Sequence, residues 1–170
     1  MASSADLDVK DYQLLAELRY QIRKFLRFSE GVARKAGIEP QHHQLMLALK
    51  GLPDGIRATV GELAERLQIR HHSSVELIDR LTKEGLVQRR RSEQDRRQVL
   101  VTLTARGERI LRELSIHNRE ELQATAPRLI GALRGIVASG KRRASTQLSR
   151  RLIAGRPPGE RPKSLRSARP

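Results

Sequence analysis

The sequence predicts a mainly α fold with a small β-hairpin, and three features carry that reading. Apolar residues recur at helical spacing on both sides of a central block. Two short helical segments inside that block are joined tightly. A pair of β-prone runs around a polar, arginine-rich turn follows at once.

Taken in order, the first long helix should start near Asp8 or Asp11, whose carboxylates suit a helix N-terminus. Leu15, Leu18, Ile22 and Phe25 follow a 3-4-3 spacing, joined by Leu14 and Leu26. Gly37 is the expected stop, after the basic Arg34 and Lys35. Pro40 opens a second helix with Leu45, Met46, Leu47 and Leu49, ended by the Gly- and Pro-containing turn at 51–55. A brief extended piece at 56–58 leads to Thr59, placed to cap a helix over Val60–Leu67 while Glu62 reaches back. Residues 68–70 turn the corner into a helix over His71–Lys83, with Val75, Leu77, Ile78 and Leu81 as its buried stripe and Gly85 as its left-handed stop. Two strands, 86–90 and 98–103, flank the polar turn, and Val99, Val101 and Leu103 share one face of the second. From Thr104 the chain turns helical again through Ile110, Leu111, Leu114 and Leu122. Pro127 is expected to break that run and begin a final helix with Leu129, Ile130, Leu133 and Ile136. Leu148, Leu152 and Ile153 offer one more amphipathic turn or two. The expected organisation is one domain over 8–154 with its core module at about 56–104, then a basic tail over 155–170 too polar to pack and read as disordered.

A chain of 170 residues is about one domain long and can bury a core. Its formal charge is +15, an excess that favours polyanions. Residues 141–170 hold ten Lys or Arg against Glu160 alone, so this end is either a solvated tail or a contact arm. No cysteine is present, which excludes disulfides, thiolate metal sites and thiol-oxidation sensing. No apolar run approaches the ~20 residues that span a bilayer. The first residues lack both the basic start and the apolar core of a secretion signal, so a cytoplasmic, nucleoid-associated location is expected.

In a helix-turn-helix the first half of the second helix meets base edges in the major groove. Here that half presents Arg70, His71, His72, Ser73, Ser74 and Glu76. The adjacent histidines make a poor metal site, because neighbouring helical residues point about 100° apart. The same holds for His42 and His43. In the hairpin, Arg89, Arg90, Arg91, Arg96 and Arg97 stand with Glu93 and Asp95. Guanidinium groups on a projecting tip suit the negative potential of a narrow minor groove, with Asp95 placed to brace Arg97. A solvated charged turn is the alternative, and the helix pair directly before the hairpin weighs against it.

Residues 59–67, the run from Ser73 to Leu81 with the Lys-Glu-Gly-Leu-Val exit at 83–87, and the Asp95–Thr104 pattern of Asp-x-Arg before an apolar strand ending Leu-Thr resemble the MarR family of bacterial transcription regulators. With 40–49, the likeness covers roughly residues 10–140. The resemblance implies a winged helix-turn-helix flanked by N- and C-terminal dimerisation helices, in a homodimer that reads a pseudo-palindromic duplex and acts more often as repressor than activator. It implies phosphate contacts from Arg57, Arg66 and Lys83, with Arg90 at the wing. It also implies a small-molecule effector, anionic or aromatic, for which Tyr20, Lys24, His42, His43, Met46 and His117 are the candidates. No cofactor and no metal are expected. An RNA-binding or nucleoid-associated protein without operator specificity is the rival reading, but Tyr12, Tyr20, Phe25 and Phe28 all fall in one helix, leaving no stacking platform. An enzyme is disfavoured because no nucleophile–base arrangement or phosphate-binding glycine loop is present.

Overall fold

A computed structural model describes residues 7–91 and 98–154, with side chains described as far as residue 140. The elements are α1 (Val9–Lys35), α2 (Pro40–Lys50), α3 (Val60–Leu67), α4 (His71–Lys83), β1 (Val87–Arg91), β2 (Val99–Leu103) and α5 (Ala105–Ala154). They contribute to two compact units, one formed by the chain up to Leu18 with the chain from Ile130 on, the other by Arg19–Leu129.

In the first unit, the start of α1 is fixed by a reciprocal pair of caps. The Asp8 N–H donates to the Asp11 carboxylate at 3.0 Å, and the Asp11 N–H donates to the Asp8 carboxylate at 2.9 Å. Ala132 is buried, and Leu14 lies against Gly135, whose missing side chain leaves it room.

The second unit holds the main core. Ala33, Ile38, Leu45, Met46, Leu49, Leu63, Leu77, Ile78, Leu81, Leu86, Val87, Val101, Leu111 and Leu114 form one buried cluster drawn from α1, α2, α3, α4, the hairpin and α5. β1 and β2 pair antiparallel from Val87↔Leu103 to Arg91↔Val99. The expected extended piece at 56–58 joins this sheet: the Val101 N–H donates to the Ala58 carbonyl at 2.9 Å, and Thr59 bridges Leu100. The end of α4 is a Schellman motif. Gly85 takes φ +67°, its N–H reaches the Thr82 carbonyl, and the Leu86 N–H reaches the Leu81 carbonyl.

Two expectations fail. The break at Pro127 does not occur, because α5 runs as one helix from Ala105 to Ala154 with Pro127 inside it. An interior proline deletes one ladder hydrogen bond and crowds the carbonyl four residues back, costing about 3 kcal/mol. Ending the helix there would instead leave about four carbonyls without partners. The helix formers on both sides then decide the outcome. The capping box at α3 also forms by half. Thr59 accepts from the Glu62 N–H, but the Glu62 carboxylate turns to Arg66 at 2.7 Å and the Thr59 N–H goes to the Arg57 carbonyl.

Where α5 meets the end of α4, the fit is close. The Thr104 hydroxyl donates to the Gly85 carbonyl at 2.8 Å and accepts from the Gly107 N–H at 3.0 Å, while the Thr104 N–H donates to the Leu86 carbonyl. A Cβ on Gly107 would stand 2.1 Å from that same Leu86 oxygen.

Two stability predictions follow from these contacts. Gly107→Ala forces backbone apart and should lower unfolding free energy by about 1–3 kcal/mol in urea denaturation. His43, 3% exposed on α2 with Nε2 lacking a hydrogen-bond partner, is held neutral by burial, which pushes its pKa below the ordinary 6.5. The unfolded chain therefore takes up a proton that the folded chain refuses. Stability should be level above about pH 7 and fall as pH drops below 6.5. The urea midpoint of His43→Gln should lose that decline.

Candidate nucleic-acid interface

The helix pair α3–α4 is set by local chemistry at its corner. Gln68 adopts the left-handed conformation with φ +53°, and its side chain holds the Glu65 carbonyl at 2.7 Å. Such a turn lets the Ile69 N–H return to the Ala64 carbonyl, closing α3 with three residues left before α4. Leu63 joins Leu77, Ile78 and Leu81 in the shared core, and His71, His72, Glu76 and Arg80 of α4 are left exposed.

At its start α4 has no side-chain cap and no acidic residue in the first turn, and Arg70 occupies the N-cap in an extended conformation. The free N–H groups and the helix dipole make this end attractive to anions, as does the cationic Arg70. Arg70, His71, His72 and Glu76 are exposed, and Ser73 is half-buried. Ser74 departs from expectation. It is fully buried, and its hydroxyl donates to the Val60 carbonyl at 3.3 Å, so it pins α4 to α3 and cannot reach a base. Its place at the apolar stripe, three residues before Leu77, was the available signal.

The candidate cations sort by their neighbours. Arg57 donates to the Gln98 side chain at 3.1 Å, at the foot of β2. Arg66 pairs with Glu62 on its own helix, which offsets its charge. Arg90, Arg91 and Lys83 are exposed. Asp95, Arg96 and Arg97 lie outside the described residues. Arg89 pairs with Asp79 of α4 at 2.8 Å, an ion pair between strand and helix that spacing within one element does not reveal.

The six effector candidates do not converge. Met46 is 0% exposed and belongs to the core, because α2 is packed on two sides. His43 is buried beside it, and His42 is buried with its Nδ1 3.1 Å from the Glu84 carboxylate at the end of α4. Tyr20 and Lys24 are exposed on α1. His117 alone lines an apolar cavity of about 360 Å³, with Phe28, Val32, Lys35, Ala36, Glu113 and Leu114. A second cavity, about 300 Å³, opens beside the Lys50–Glu108 ion pair, whose 2.6 Å contact and charge hold the Glu108 carboxyl below the usual range. No helix among the described residues is long and apolar enough to cross a membrane.

Residues 36–98 match the family model described as the MarR family. An uncharacterized HTH-type transcriptional regulator of Bacillus subtilis, YsmB, is 37% identical over 65 residues, which are 38% of this chain and 44% of that protein. The chain thus spans less than half the length of the curated relatives it matches. Among solved structures, AbsC, a MarR family transcriptional regulator from Streptomyces coelicolor, shares the fold with a TM-score of 0.60 at 18% identity, over 89% of this chain and 99% of that one. A mutant of MepR from S. aureus, bound to an oligodeoxyribonucleotide, aligns with a TM-score of 0.53 at 18% identity, over 85% and 98% of the two chains. The MarR family pattern over 36–98 thus falls on α2, on the helix-turn-helix of α3 and α4, and on β1 of the two-stranded wing.

Proposed function

We propose that this chain is a sequence-selective duplex-DNA-binding transcription regulator that works as a homodimeric, ligand-responsive repressor. The observation that carries the reading is the start of α4: uncapped, free of acid, exposed, and fronted by Arg70, His71 and His72, in a helix followed directly by a strand bearing Arg90 and Arg91. In this reading Arg70, His71, His72, Ser73 and Glu76 enter the major groove. Donors there pair with purine acceptors, and Glu76 accepts from a cytosine amine. Arg90, Arg91, Asp95, Arg96 and Arg97 form the wing side, with Arg97 in the flanking minor groove. Arg57 and Lys83 are the phosphate contacts, with Arg66 contributing once Glu62 yields it. The DNA-bound MepR structure supports the same use of the fold.

Dimerisation is supported by apolar surface on the two long helices. Tyr12, Leu15, Ile22 and Leu26 of α1 are 41–60% exposed, as are, to similar extents, Ile130, Leu133 and Val137 of α5. Large apolar side chains left exposed in such number on a helix ordinarily mark an interface. Two copies related by a two-fold axis would present their recognition helices about 34 Å apart, one turn of B-DNA. For the effector, the cavity of His117 and Lys35 fits best: Phe28, Val32, Ala36 and Leu114 give it apolar wall, and Lys35 offers an anion a cation, with Glu113 beside it and His117 3.8 Å from Glu120.

Selection of bound sequences from a random duplex pool tests the central reading. A two-fold symmetric site is expected, and on that site log affinity should fall against log salt with a slope near −7 if about eight phosphates are neutralised. A slope shallower than about −2 would overturn the electrostatic basis. Leu133→Glu should convert the dimer to monomer in sedimentation equilibrium; an unchanged mass would remove α5 from the interface.

A further inference from the structure

The wing and the recognition helix reach different grooves in the reading above, so something must fix the angle between them. The backbone link is short: α4 ends, Gly85 and Leu86 turn, and β1 begins at Val87. That link sets the root of the strand, which extends about 16 Å over five residues, and residues 58–59 hold β2 through Val101 and Leu100. Midway along, the Asp79 carboxylate meets the Arg89 guanidinium at 2.8 Å.

Alternation along β1 places Val87, Arg89 and Arg91 on one face. Val87 is 1% exposed, and the cross-strand partner of Arg89 is Val101, which is fully buried. Arg89 therefore leaves the strand on the side that packs on the core. Its aliphatic stem follows that surface outward to a charge that is half-exposed. Arg90, one residue on, departs from the opposite face. Three consecutive arginines thus divide: one is tied to α4, and the next two are left exposed.

We propose that Asp79 is a specificity-determining positioning residue: by holding Arg89 it fixes the wing strand against the recognition helix and withholds one guanidinium from the DNA phosphates. This rests on the proposed duplex-binding function, which gives the two elements their separate grooves. Tying Arg89 lowers attraction to any duplex by one cation per protomer. Fixing the strand lets major-groove and flanking contacts form together on one spacing only. The second effect raises the ratio of selected-site to random-duplex affinity, while the first lowers the sequence-independent background common to both. An exposed pair adds little to folding stability, so its main effect falls on this ratio.

The test uses full-length protein, the duplex selected from the random pool and a random duplex of equal length. Asp79→Asn should lower the selected-to-random affinity ratio by about tenfold, tighten binding to the random duplex, and steepen its log–log salt slope by about one per protomer. Exchanging the charges, Asp79→Arg with Arg89→Asp, should restore the ratio toward wild type. An unchanged ratio and slope in Asp79→Asn overturns the proposal. So does a parallel loss of both affinities with a fallen melting temperature, which marks a purely structural role, and so does a charge exchange that fails to restore selectivity. Wild-type protein that ignores duplex DNA altogether would instead overturn the proposed function.

Discussion

Much of the second unit depends on what one threonine does with the carbonyls beyond α4. A helix that stops leaves its last carbonyls without partners, and buried ones need them. Gly85 and Leu86 supply N–H groups backward to α4, but their own carbonyls point onward, where Thr104 meets both. The same hydroxyl then accepts from Gly107 and starts α5. That helix comes so close that only a residue without a side chain fits at 107. Leu86, Val87 and Val101 are buried beneath this junction, so hydrogen bonding and core packing hold the same few residues from two sides. Arg106 adds a third tie, donating to the Glu84 carbonyl at 2.8 Å.

The parts of this fold legible in the sequence are those decided within one turn of chain. Thr59 as a cap, Gly85 as a stop and the stripe of Leu77, Ile78 and Leu81 gave the limits of α3 and α4 without any knowledge of neighbours. The parts that were not legible depend on residues far apart. Histidines 42 and 43 are polar by composition, yet both are buried, and the partner that steadies His42 lies 42 positions away. Ser74 is small enough to read a base and small enough to sit between two helices; burial by α3 selects the second. At Pro127 the helix-breaking tendency of proline loses, because a single missing hydrogen bond weighs less than the helix on either side.

Electrostatics show the same division between what a count provides and what geometry allows. A formal charge of +15 says that the chain favours polyanions, but not which cations are available. Within the described wing and helix pair, Arg66 and Arg89 are each drawn to a carboxylate and Arg57 to an amide, while Arg70, Lys83, Arg90 and Arg91 stand exposed. Of the exposed set, Arg70 stands at the start of α4, Lys83 at its end, and Arg90 and Arg91 along β1. Availability, rather than the total, is what a phosphate backbone would meet.

Because Gly85, Leu86 and Thr104 close the base of the hairpin among themselves, one short junction seats α4, both strands and α5 together. Such a base works as a socket. A change at 85, 86, 104 or 107 is felt by two helices and two strands at once, whereas an exchange at an exposed strand position such as Arg90 alters surface charge while the buried core goes unrepacked.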